Sequence, residues 1–232
     1  MGDTSVEPRA HRWRIEEREI QRHIARRGRR HAFEHLDPTR TALVVIDLVP
    51  FFVAESGHAR ATIRPVNETA AVLRSLGGTV AWVVPGLSSG SPTALDEEFY
   101  GPAVAESYRR SGGDGPVRER LWPELDAQAQ DLTVEKTAAS AFFPGRCGLH
   151  EDLAARRIDS VLIAGTVANV CCESSARDAR TLGYRVVMMA DALAAPSDDM
   201  LNATLRTVYR SFGDVRPSVE LQALLRSWDP DV

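Results

Sequence analysis

Short, continuously apolar runs alternate along the chain with longer segments in which apolar residues recur at helical spacing. Runs of the first kind are typical of strands buried on both faces of a sheet. They predict strands at 42–46, 79–84, 132–134, 160–164 and 186–190. The helical spacing predicts helices at 61–76, 149–157, 171–182, 197–212 and 217–228. Because the two patterns alternate, we expect an α/β fold with a parallel sheet and helices on both faces.

Two segments depart from this alternation. Residues 1–40 hold nine arginines between Arg9 and His31, and the spacing of Trp13, Ile20 and Ile24 predicts an exposed amphipathic helix. We interpret this N-terminal arm as a helix that packs its apolar stripe on the body or on another subunit. A basic arm that binds a polyanion is the alternative. Residues 85–116 form a long connection rich in Gly, Ser and Pro, which is typical of a functional flap.

Composition narrows the class of protein. The chain has 232 residues, 44% of them hydrophobic, which suits one main domain, here 41–232, after the arm. Apolar runs fall short of the ~20 residues that cross a bilayer, and residues 1–9 lack the apolar core of a signal peptide, so we expect a cytoplasmic protein without membrane contact. A formal charge of −4 gives no general affinity for nucleic acid. Three cysteines, two of them adjacent, favour a reactive thiol over a disulfide framework.

Lysine usage singles out one residue. Of the 28 basic residues, 27 are arginine and only Lys136 is lysine. Arginine is a broad fork that stays charged, whereas lysine is a compact charge whose pKa can move. A functional role for Lys136 is therefore about as well supported as a surface role.

Three reactive side chains lie where parallel strands end, which is where sites form in such sheets. Asp47 ends the first strand, Lys136 follows the third, and Cys171 follows the loop after the fourth. Each has a simpler interpretation: a capping acid, a surface charge and a small buried residue. Together they suit a nucleophile, with the Cys171 pKa lowered by a helix N-terminus and by Lys136, and with Asp47 moving protons. Histidine is absent from the strand ends, which disfavours Cys–His and Ser–His–Asp arrangements.

The order and content of several segments resemble the isochorismatase-like cysteine hydrolases, over about residues 41–216. The matching segments are TALVVID at 41–47, EKT at 135–137, SAFF at 140–143 and GTVANVCCESSARDA at 165–179. GYRVV at 183–187, DA at 191–192 and NATL at 202–205 continue the match.

The resemblance implies a three-layer α/β/α sandwich with a mostly parallel sheet and a catalytic triad of Asp47, Lys136 and Cys171. It also implies a cis peptide at Thr166–Val167 and an oxyanion hole formed by the backbone amides of Val167 and Cys171. The implied reaction is cleavage of a C–N bond in an amide, ureide or lactam through a thioester on Cys171. A small-molecule substrate and a homodimer or homotetramer are expected.

The chain also departs from its relatives. Many of them carry Arg-Tyr where this chain has Ala138 and Ala139, which should widen the pocket or remove a carboxylate anchor. The histidines of the nicotinamidase metal site are missing after the second strand, so we expect no metal and no other cofactor. Phe52 and Phe142 are candidate substrate contacts, although either could belong to the core, and Trp82 is expected in the core.

Two alternatives to the amidase reaction stay open. Isochorismatase-type cleavage of a vinyl ether needs the acid but not the thiol. A catalytically silent member of the family would act as a scaffold or binding module through the arm. Nucleic-acid binding by the arm is a weaker third alternative.

Overall fold

A single parallel sheet of six strands forms the centre of the molecule. The computed structural model describes residues 6–86 and 93–229. The strands are β1 (Thr41–Ile46), β2 (Thr79–Pro85), β3 (Leu132–Lys136), β4 (Ser160–Thr166), β5 (Arg185–Ala194) and β6 (Asp214–Arg216). Their order is β3-β2-β1-β4-β5-β6, and every neighbouring pair is parallel. The chain reverses its direction of progress between β1 and β4, which places a crevice at their carboxyl ends.

Helices cover both faces of the sheet, as expected for a three-layer α/β/α sandwich. They are α1 (Glu17–Arg27), α2 (Pro50–Val53), α3 (Gly57–Ala61), α4 (Ile63–Ser75), α5 (Ala94–Tyr100), α6 (Pro102–Arg109), α7 (Leu149–Ala155), α8 (Glu173–Thr181), α9 (Asp198–Ser211) and α10 (Ser218–Arg226). Side chains of β1 alternate between two apolar clusters, with Val44 in one and Val45 in the other. Within the described residues, no helix combines the length and the apolar character that a membrane span requires.

A glycine sets the distance between the two central strands. Gly165 of β4 lies opposite Ile46 in the register of β1. Its φ is +114°, and a Cβ at this position would lie 2.0 Å from the carbonyl oxygen of Ile46. Only glycine fits this contact, because any side chain would have to displace backbone. The two strands therefore approach each other closely at the end that leads to Asp47 and Cys171.

The N-terminal segment lies against the body. Trp13, Ile15 and Ile20 pack on the first apolar cluster. The Tyr209 hydroxyl donates to the Arg30 carbonyl at 2.7 Å, and the buried Asp214 accepts from the Ala32 amide at 3.0 Å. The arm thus packs on the body, but the predicted stripe is only partly correct: Trp13 precedes α1 and Ile24 is exposed, so Ile20 alone of the three packs from the helix. Packing on another subunit and polyanion binding stay untested.

The remaining differences concern short elements. The strand β6 and the helices α2 and α3 were not predicted, because three to five residues carry too little periodicity. The connection 85–116 contains α5 and α6, joined at Gly101, and its residues 87–92 lie outside the described part of the chain. Trp82 belongs to the core, as predicted, and its indole donates to Asp131 at 2.8 Å.

Candidate active site

Asp47 occupies a tight turn directly after β1. Its amide donates to the Val83 carbonyl at 2.8 Å, and its own carbonyl accepts from the Val49 amide at 2.9 Å. Its φ of +56° lies in the left-handed region, which aspartate tolerates better than most residues. The side chain is buried. The turn therefore holds a buried carboxylate at the carboxyl end of β1.

Lys136 reaches this carboxylate from β3. The sequence placed Lys136 after a strand that ended at 134, but Lys136 is the last residue of β3 itself. Strand β2 lies between β3 and β1, and two strand spacings amount to about 10 Å, a distance that only a long side chain spans. Lys136 Nζ lies 2.9 Å from Asp47 Oδ2 and 3.5 Å from Cys171 Sγ, and it donates to the Ala138 carbonyl at 3.2 Å.

Cys171 lies on a π-helical turn, Ala168–Cys172, which connects β4 to α8. The Val167 carbonyl accepts from the amides of Val170 and Cys172, at 3.0 and 3.3 Å. The Thr166–Val167 peptide bond is cis. Ser175, which the sequence analysis did not single out, donates from Oγ to the Cys171 carbonyl at 2.7 Å. Its only signal was a serine four residues after the cysteine, a spacing common to many helices.

The three predicted catalytic side chains thus meet at one point. Lys136 joins them, because its ammonium group lies within 2.9 Å of the Asp47 carboxylate and 3.5 Å of the Cys171 sulfur. The roles of the Val167 and Cys171 amides as an oxyanion hole stay a prediction.

Burial and the charges of neighbouring groups set the pKa values of Asp47, Lys136 and Cys171. Burial raises the pKa of Asp47, and the charge of Lys136 offsets this only in part. Burial would lower the pKa of Lys136, but attraction to Asp47 and Cys171 outweighs it, so the pKa is raised. The pKa of Cys171 is raised to about 12 by burial and by the negative charge of Asp47. Both shifts favour an ammonium on Lys136 and a protonated thiol on Cys171.

The expected lowering of the Cys171 pKa is therefore wrong. The prediction assumed that Cys171 opens an α-helix, but α8 begins at Glu173 and Cys171 precedes it on the π-helical turn. It also considered the positive charge of Lys136 but neither the negative charge of Asp47 nor the burial of the thiol. A base must remove the thiol proton before Cys171 can attack, and the raised pKa of Asp47 suits a group that accepts a proton and returns it.

The two predicted substrate contacts differ in burial. Phe142 is 1% exposed and packs against the Tyr184 ring at 5.5 Å, which favours the core interpretation that the sequence left open. Phe52 is partly buried, and its ring lies edge-on to Phe51 with centroids 4.8 Å apart. Ala138 lies beside Lys136, so its methyl group leaves room at this edge of the site, and a wider pocket stays a prediction.

A second group of polar side chains links the N-terminal segment to the loop after β5. His11 Nε2 accepts from the Ala195 amide at 3.1 Å, which assigns the ring proton to Nδ1, and Nδ1 lies 2.6 Å from Asp198. The His11 and His58 rings are stacked, with centroids 3.6 Å apart and planes 7° apart. A histidine nitrogen binds a metal ion through a lone pair that lies in the ring plane. Two parallel stacked rings therefore do not direct their lone pairs at a common metal ion. Hydrogen bonds and stacking account for this cluster.

A surface cavity of about 650 Å³ lies at the opposite, amino edge of the sheet. Arg40, Asp159 and Arg185 line it, and Asp159 pairs with Arg40 at 2.9 Å and with Arg185 at 3.8 Å. Its charges therefore balance one another, away from the triad.

Comparisons with known proteins agree with this architecture. The isochorismatase domain profile matches residues 41–219. The isochorismatase family protein YwoC of Bacillus subtilis is 31% identical over 191 residues, which cover 80% of this chain and 94% of YwoC. The ureidoacrylate amidohydrolase RutB of Rhizobium rhizogenes is 29% identical over 207 residues, which cover 77% of this chain and 80% of RutB.

Similarity extends to solved structures. A cysteine hydrolase from Pseudomonas syringae pv. phaseolicola superposes with a TM-score of 0.74 at 27% identity, over 85% of this chain and 97% of that one. The sequence profile covers the whole sheet and all three triad positions. The chain belongs to the isochorismatase family.

Proposed function

We propose that this hydrolase cleaves a C–N bond of a small-molecule amide, ureide or lactam through a thioester on Cys171. The observation that carries the proposal is the contact among the three buried groups, with Lys136 Nζ 2.9 Å from Asp47 and 3.5 Å from Cys171 Sγ. Similarity to a ureidoacrylate amidohydrolase and to a cysteine hydrolase supports the same chemistry.

The first half-reaction forms the thioester. Asp47 takes the thiol proton, and Lys136 stabilises the resulting thiolate. The sulfur then attacks the substrate carbonyl, and the amides of Val167 and Cys171 bind the developing oxyanion. Collapse of this intermediate breaks the C–N bond, and Asp47 gives its proton to the leaving nitrogen.

The second half-reaction regenerates the thiol. Asp47, ionised again, takes a proton from water, and the hydroxide attacks the thioester carbonyl. The acid product leaves as Asp47 returns the proton to sulfur. Lys136 keeps its positive charge throughout, which makes it an electrostatic support for Asp47 and Cys171 and not a proton donor.

The test is release of ammonia or amine from a panel of primary amides, carbamoyl compounds and cyclic amides. Cys171→Ala should abolish turnover, because no other group replaces the nucleophile, and Cys147→Ser serves as the matched thiol control. Wild-type protein quenched during turnover should carry an acyl adduct on Cys171 by mass spectrometry.

Two results would contradict this assignment. Full turnover by Cys171→Ala would favour isochorismatase-type cleavage, in which the acid protonates a vinyl ether. A folded wild-type protein that turns over no compound in the panel and forms no adduct would favour a silent binding member.

A further inference from the structure

Five aromatic rings form a continuous chain on the surface. Successive ring centroids lie 4.8 Å apart from Phe52 to Phe51, 6.0 Å to Tyr108, 5.1 Å to Tyr100 and 4.7 Å to Phe99. Except for the partly buried Phe52, these rings are 45% exposed or more. Exposed apolar surface of this extent marks a binding surface in a soluble domain. We call these five residues the aromatic chain.

The aromatic chain begins in the segment that follows Asp47. Phe51 lies four residues after Asp47, in the short helix α2 that follows the turn at the end of β1. Tyr108 lies near the end of α6, which packs where β2 ends: a Cβ at Gly112 would lie 2.0 Å from the Pro85 carbonyl oxygen. Pro85 is in register with Lys136. The rings therefore extend outward from the edge of the sheet that carries the reactive groups.

Charge on α6 is neutralised within the helix. Arg109 and Arg110 both donate to Glu106, and these hydrogen bonds hold the Glu106 pKa at about 2. Both guanidinium groups are thus occupied by an acid of the same helix. On the nucleophile side, Val170 precedes Cys171 and is 45% exposed, which adds apolar surface. The surroundings suit an apolar group better than a carboxylate.

We infer that the aromatic chain is a subsite for an aromatic or similarly flat apolar group of the substrate, with Phe51 and Tyr108 as its specificity-determining rings. This inference deepens the proposed amide hydrolysis and rests on it: the scissile carbonyl lies at Cys171 and the apolar group lies against the rings. An aromatic pair contributes about 0.5–1.5 kcal/mol beyond area burial, which corresponds to about 2- to 13-fold in affinity or rate for each ring.

Cys171 itself can report on the subsite without a known substrate. The probes are 2-chloroacetamide and N-benzyl-2-chloroacetamide, whose chloride is displaced by the thiolate. The rate constant for labelling Cys171 is measured for each probe and divided by the rate constant for glutathione. We expect the normalised benzyl to unsubstituted ratio to exceed one several-fold in the wild type.

Variants then assign the preference to the rings. Phe51→Ala and Tyr108→Ala should each lower the ratio by about 2- to 13-fold, while Tyr108→Phe should keep it because the ring remains. Leu95→Ala is the matched control, since Leu95 lies on α5, is more exposed than any ring of the aromatic chain except Phe99, and takes no part in the ring contacts.

Three outcomes would overturn the inference. The first is a wild-type ratio near one, and the second is a ratio that Phe51→Ala and Tyr108→Ala leave unchanged. The third is that these variants sediment as a smaller species than the wild type while the ratio stays intact. The last would show that the rings form a contact between subunits. A protein that shows the ratio but releases no amine from any amide would contradict the proposed reaction and leave the aromatic subsite standing.

Discussion

Replacing Asp47 by asparagine should make the thiol more reactive and the enzyme inactive. The negative charge of Asp47 is one of the two main causes that raise the Cys171 pKa to about 12. Two unit charges ~4 Å apart at an effective dielectric constant of ~20 interact by about 4 kcal/mol, or roughly three pKa units. Burial, the larger of the two causes, persists in the variant and keeps the Cys171 pKa above its ordinary value of 9.0, so we expect a fall of roughly two units and not the full three. Each unit by which the pKa falls raises the thiolate fraction tenfold at a fixed pH well below the pKa.

The assay compares labelling with turnover. Iodoacetamide should label Cys171 of Asp47→Asn about 100-fold faster than the wild type at pH 8, while amine release is lost because no carboxylate moves the proton. All three cysteines are buried, so peptide mapping separates the label on Cys147 from that on the Cys171–Cys172 pair, fragment ions assign the label within the pair, and Cys171→Ser gives the background. Labelling of Asp47→Asn at or below the wild-type rate would refute the electrostatic argument, because it would mean that Asp47 does not suppress the thiolate.

Two further predictions concern stability. Asp214→Asn should lower the free energy of unfolding by about 2–4 kcal/mol at pH 7 in urea titrations, because Asp214 is buried and lies 3.1 Å from His31. Burial would raise the Asp214 pKa, but His31 and its other partners outweigh it and lower the pKa below 3.8, so the stabilisation is present above pH 3.8 and is lost as the pH falls through the folded-state pKa. The gap between wild type and variant should therefore narrow below pH 4, and a constant gap would contradict the assignment. Trp82→Phe should cost about 1–3 kcal/mol by the same measurement, since it leaves a small void and removes the 2.8 Å hydrogen bond to Asp131; a loss below 0.5 kcal/mol would contradict this.

Most of the fold and site could be predicted from long periodic segments and from the residues at strand ends. β1 is continuously apolar because both faces are buried, and Asp47 stands out as the first polar residue after it. The parallel pattern then fixes which residues share an edge, which is how Lys136 and Cys171 were found. The sequence could not supply the balance of charges among them. The pKa of a buried thiol depends on distances to Asp47 and Lys136 that only the folded chain defines.

Features built from distant segments were also out of reach. The contact between His11 and Ala195 joins positions 184 residues apart, and neither residue has a local pattern that indicates the other. The aromatic chain combines Phe51 with Tyr108 from a connection that reads as an irregular flap. The choice between core and substrate contact for Phe142 likewise required its burial, because a phenylalanine in the SAFF segment fits both.

The backbones of β1, which leads to Asp47, and of β4, which leads to Cys171, are in direct contact at Gly165. Because nothing larger than hydrogen fits between Gly165 and the Ile46 carbonyl, any side chain at position 165 would push these two strands apart. The helices α5 and α6 lie in a different connection, between β2 and β3. On the inferred role of the aromatic chain, selectivity can vary without a change in the strands that hold the reactive groups, so a mutant library aimed at new substrates should vary α5 and α6 and leave β1 and β4 alone.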